Sequence, residues 1–130
     1  MEARDVDGKL KQLYNEYREA VSSGDLDRAV DSGVRVLEEL LEVARSWVVA
    51  RITHPLVREA ALDVLAHYER ALSFVKGARE AVNGLPPIYS AGVKEEALEV
   101  LMSSVNGLFN FVVGALLVVA DVLAGVNSVA

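Results

Sequence analysis

Few residues in this chain are able to do acid–base or metal chemistry. His54 and His67 are the only two histidines. Asp63 stands four residues before His67, and Glu59 four before Asp63, so a helical segment would stack all three on one face. Such a face offers imidazole nitrogen and carboxylate oxygen to a divalent ion, which makes Asp63 and His67 the candidate metal ligands. The same spacing also produces a solvated Asp–His pair that merely supports its helix. Carboxylate-bridged metal bundles draw Glu-x-x-His pairs from two helices, and the chain has none. The expectation is a protein with no cofactor and no essential metal.

Other catalytic arrangements are incomplete. The chain has no cysteine, which removes thiolate nucleophiles, thiolate metal sites and disulfides together. Its nine glycines are scattered rather than gathered into a phosphate-cradling loop. The arginine that precedes the histidine of small helical nucleases is missing, because Val49 and Leu62 occupy the positions it would need. Glu38, Glu39 and Glu42 form an acidic cluster flanked by Arg35 and Arg45, a pattern that suits a solvated helix face. A non-catalytic protein is therefore expected.

The elements that carry these residues are set off by strong breakers: Ser23-Gly24-Asp25, His54-Pro55 and Asn83-Gly84-Leu85-Pro86-Pro87. Between them the apolar residues recur at alternating steps of four and three, as on one side of a helix. The first segment places Val6, Leu10, Leu13, Tyr17 and Ala20 this way; the second places Val30, Val34, Leu37, Leu41, Ala44 and Val48. In the second, Val36, Leu40, Val43 and Trp47 widen the stripe, so this helix is expected to touch two neighbours and to bury Trp47. Asp25 suits an N-cap and Pro55 a first helical turn. The third segment holds the pattern from Val57 through Ala61, Val64, Tyr68, Ala71, Val75 and Ala78 to Val82.

The predicted architecture is all-α: a single domain over residues 1–130, a bundle of four long antiparallel-type helices at about 4–22, 25–53, 55–83 and 92–128. The Pro86-Pro87 pair predicts an extended connector before the last helix. The region of Tyr17, Gly24-Asp25 and Ala29 resembles one tetratricopeptide helix pair. No second copy follows about 34 residues on, so no array is implied.

Composition narrows the setting. Hydrophobic residues make up 52% of the chain and mean hydropathy is +0.28, above the roughly 45–50% apolar share of soluble domains. Some apolar surface should therefore meet something besides the chain's own core. The net charge of −6 is the wrong sign for gripping phosphates, so nucleic acid is not an expected partner. The charged first thirty residues lack a secretory pattern, and a cytoplasmic location is expected. Nine Arg against four Lys, with one Gln, suits a thermophilic source.

The last helix, the longest and most apolar, concentrates the excess. Between Val100 and Ala130 the only charged side chain is Asp121. Ser103, Gly107, Asn110, Gly114, Asp121, Gly125 and Ser128 fall on one narrow arc at helical spacing. Glycines there let another helix approach, with Asn110 and Asp121 bonding across. Gly107, Asn110, Gly114, Asp121 and Gly125 are thus the candidate interface of an interaction or scaffold protein that self-associates, as a dimer. Residues 105–126 are also apolar enough to enter a membrane, which gives a second reading: a cytosolic helical head with an inserting C-terminal helix. A third is a bundle that binds a small ligand or metal through Asp121 or Asp63 and His67.

Overall fold

A computed structural model describes the backbone of residues 3–129 and the side chains of residues 8–46 and 48–114. Four long helices make up the chain: α1 (Ala3–Ser23), α2 (Leu26–Val43), α3 (Pro55–Ala81) and α4 (Pro87–Val129). The longest is the apolar C-terminal one, as the sequence implies.

Local chemistry sets the boundaries. Asp25 caps α2, its carboxylate accepting from the Arg28 N–H at 3.2 Å, and Gly24 takes the positive φ of 75° that the tight turn before it requires. His54 caps α3 by accepting from the Leu56 N–H at Nδ1, and Pro55 follows in the first turn, where no carbonyl awaits an N–H.

Two boundaries differ from the sequence expectation. The second helix does not run unbroken to Thr53. It passes at Ala44 into a π turn ending at Val48, then into a 3-10 turn over Val49–Arg51. The wider turn shifts the chain's rotation, so that Val48 and Val49 are both buried. The expected burial of Trp47 lies outside the described side chains. The last helix starts at Pro87, several residues before the expected position, and the extended connector shrinks to Leu85 and Pro86 after a 3-10 turn over Val82–Gly84. Pro87 needs no N–H partner at the helix start, and the Pro86 carbonyl accepts from both Tyr89 and Ser90 N–H groups at 3.0 Å.

Ion pairs record the direction of each helix. Arg28–Glu19 and Lys9–Glu39 join α1 and α2 in opposite order, Arg79–Asp31 and Lys76–Glu38 do the same for α2 and α3, and Arg45–Glu69 continues the series from the π turn. Lys94–Asp27 and the approach of Leu101 to Gly33 set α2 and α4 parallel, at an offset of 67 or 68 residues. The bundle therefore runs up, down, up, down. In it α2 packs against all three other helices, α4 packs on α2 and α3, and α1 leans mainly on α2.

The core follows from this arrangement. Leu37 and Leu40 of α2 meet Leu65 of α3 and Leu101 and Leu108 of α4, all fully buried. Gly33 lets α1, α2 and α4 converge, since a Cβ there would stand 3.0 Å from Leu101 Cδ1 and 3.1 Å from Tyr17 Cε1. In α3 the buried positions are Ala61, Leu65 and Val75. Val57, expected in the stripe, is exposed beside Leu56 in the first turn, before α3 reaches its buried positions.

The helices differ greatly in length. At 1.5 Å per residue the 43 residues of α4 span about 64 Å, against about 40 Å for the 27 of α3.

Candidate functional site

The two sequence-level candidates for metal binding, Asp63 and His67, are both exposed on α3, as is Glu59. His67 packs edge-on against the Tyr68 ring, with 5.3 Å between centroids. No group of three or more His, Cys, Asp or Glu side chains converges among the described residues. All three side chains belong to α3. His54 is already engaged as the cap of α3.

The predicted arc on α4 divides. Ser103, Asn110 and Gly114 are exposed, and a Cβ built on Gly114 meets nothing within 4 Å. Gly107 instead turns toward α3, where a Cβ would collide with the Tyr68 hydroxyl and lie 3.2 Å from its Cζ. That glycine serves the chain's own packing. Asp121 and Gly125 lie outside the described side chains.

A second stripe stands one residue further along. Leu101, Val105, Leu108 and Val112 form the buried stripe of α4. Met102, Asn106, Phe109 and Val113 repeat its four-three-four spacing on the open side, with Met102 46% and Phe109 45% exposed. Sequence reasoning missed this stripe because nearly every position in α4 is apolar. Its signal was the repeat spacing rather than any contrast in polarity. Toward the helix start the exposed charged side chains are Glu95, Glu96 and Glu99; from Met102 to Gly114 none is charged.

This open stripe forms one wall of a groove. The facing wall is α1, with Tyr14, Tyr17 and Arg18 opposite Met102, Asn106 and Phe109, around a volume of about 260 Å³. Tyr14 stacks on Phe109 with 6.3 Å between ring centroids and 17° between planes, bridging the floor. The Arg18 guanidinium lies 6.0 Å from the Tyr14 ring centroid and is the one charged lining group among the described residues. Burial, with the nearby Tyr14 adding to it, pushes the Tyr17 hydroxyl up to about 12. It is neutral at ordinary pH.

A further cleft, of about 310 Å³ between α2, α3 and the start of α4, is polar. Its charges are already committed to the Arg79–Asp31 and Lys94–Asp27 pairs, at 3.2 and 2.7 Å. The groove between α1 and α4 differs in offering apolar rings, three hydroxyls, an amide and a guanidinium set against the Tyr14 ring. That set suits another helix better than a reaction. Comparison with known proteins gives no matching family model, no matching curated protein and no matching solved structure.

Proposed function

We propose that the chain is a non-catalytic interaction or scaffold module that self-associates, as a dimer, through α4. One observation carries this reading: the exposed face of α4 from Met102 to Gly114 holds no charge, yet exposes Met102, Phe109 and Val113. Apolar area of this kind stabilises a complex by roughly 25 cal/mol per Å² removed from water, before the cost of association. Asn106 and Asn110 on the same face supply directional groups for a partner helix. The mass of detergent-free protein in solution tests the proposal. A particle of twice 14.0 kDa supports it, and a monomer at all attainable concentrations removes it.

Membrane association is the second reading, favoured by a separate observation. Within Pro87–Gly114 α4 is long and apolar enough to cross a bilayer, and only 33% of the qualifying window is buried in the bundle. This reading expects a protein that needs detergent and sediments with lipid vesicles. A chain that stays in solution with vesicles present excludes it.

A further inference from the structure

The groove between α1 and α4 is complete within one copy and does not depend on a dimer. We infer that it binds a small aromatic carboxylate, a single ring joined by a short chain to an acid group. The ring rests against Tyr14 and Phe109, and the carboxylate meets Arg18 and Asn106.

Space for this ligand follows from the packing. Of the neighbouring helix pairs among the described residues, α1 and α4 approach each other least. Tyr14 and Phe109 span the gap between them, their rings near parallel at 17°. The volume of about 260 Å³ lies at the lower edge of the roughly 300–1,000 Å³ of ligand pockets, so it suits one ring rather than a fused dye or a nucleotide. A helix about 10 Å wide lies across a space of this size instead of filling it.

Charge selects an acid. The chain has a net charge of −6, yet no acidic side chain lines the groove among the described residues. Arg28, Arg45 and Arg79 each pair with a carboxylate across the bundle. Arg18 makes no such pair among the described residues and lies against the Tyr14 ring. A guanidinium resting on an aromatic ring keeps its in-plane N–H fork for a carboxylate. The Tyr17 hydroxyl and the Asn106 amide line the same groove and add neutral donors. A cationic ligand would be repelled here, and a neutral one would gain little from Arg18.

Spacing sets the length of the ligand. Tyr14 and Arg18 stand four residues apart on α1, about 6 Å along its axis. On the antiparallel α4 the step from Phe109 to Asn106 runs in the same direction. Rings therefore mark one end of the groove and N–H donors the other, about one helical turn away. That separation is the one between ring and acid in 3-phenylpropionate.

This compound is the probe, and two others are its controls. 3-Phenylpropanol keeps the ring and loses the charge, whereas propionate keeps the charge and loses the ring. In calorimetric titration of the full chain the probe should bind once per chain, and each control at least about tenfold more weakly. Arg18→Gln should abolish the preference for acid over alcohol, and Phe109→Ala should weaken both. Both side chains are exposed, so the far-UV spectrum of each variant should stay that of the wild type. Bound probe should also slow deuterium entry into α1, the looser wall. Equal binding of acid and alcohol, or binding that survives both substitutions, overturns the assignment. A probe excluded whenever the protein dimerises gives the groove to the second copy and overturns it equally. No saturable binding at millimolar probe removes the site and leaves self-association as it was.

Discussion

The hydroxyl of Tyr68 occupies the space where a side chain on Gly107 would begin. This approach brings α3 and α4 together at a level where Leu108, one position on, is fully buried. Gly107→Ala must therefore push the Tyr68 ring aside and should cost about 1–3 kcal/mol in denaturant unfolding. In a Tyr68→Phe background the nearest obstruction is gone, so the penalty should shrink. Equal penalties in both backgrounds would show that the ring does not set the contact.

Gly114→Leu separates the fold from the interface. Nothing lies within 4 Å of its built Cβ, so the bundle itself should tolerate the change or gain up to about 1 kcal/mol from the better helix former. At a close helix crossing in the proposed dimer the added bulk should weaken self-association. Stability and solution mass should thus move independently. A loss of monomer stability would place Gly114 inside the chain's own packing instead.

Leu101→Ala should destabilise the protein by about 2–5 kcal/mol, since the side chain is fully buried among α2 and α4 residues and leaves a cavity. Ile88→Ala provides the contrast. With Ile88 80% exposed, its removal should stay within about 0.5 kcal/mol. Thermal or chemical unfolding of the two variants checks the ranking.

Much of this was legible in the sequence because it is local. His54-Pro55 marks the start of α3 through a side-chain acceptor and a preset φ, and both act within two residues. Asp25 does the same for α2. The start of α4 was misplaced because Pro86-Pro87 serves an extended path and a helix opening equally well, and the choice depends on Tyr89 and Ser90 finding the Pro86 carbonyl. The π turn at Ala44 depends on what the far end of the helix meets, which spacing alone does not reveal. For the candidate interface, sequence spacing located the arc holding Asn110 and Gly114. It could not resolve that Gly107 turns toward Tyr68, because that depends on how α3 and α4 are rotated against each other.

Tyr17 gives the fold an alkaline limit. Burial raises its hydroxyl from 10.0 to about 12, so between these values the unfolded chain releases a proton that the folded chain keeps. The contribution is whole below pH 10 and disappears as pH rises through about 12, an effect on the order of 2 kcal/mol. Tyr17→Phe should flatten this decline and remove a phenolate that appears at about pH 12 in an absorbance titration. Loss of a phenolate that appears near the ordinary value of 10.0 instead would mean that Tyr17 is open to water.

The place of α2, in contact with every other helix, has a consequence for the order in which the molecule opens. Its amides are covered from three sides, whereas α1 leans mainly on one neighbour. Deuterium should therefore enter α1 through local opening, while the amides around Leu37 and Leu40 wait for the whole bundle to separate. The slowest exchange in α2 then reports the global unfolding free energy, and the gap between α1 and α2 measures how loosely the wall of the groove is hinged.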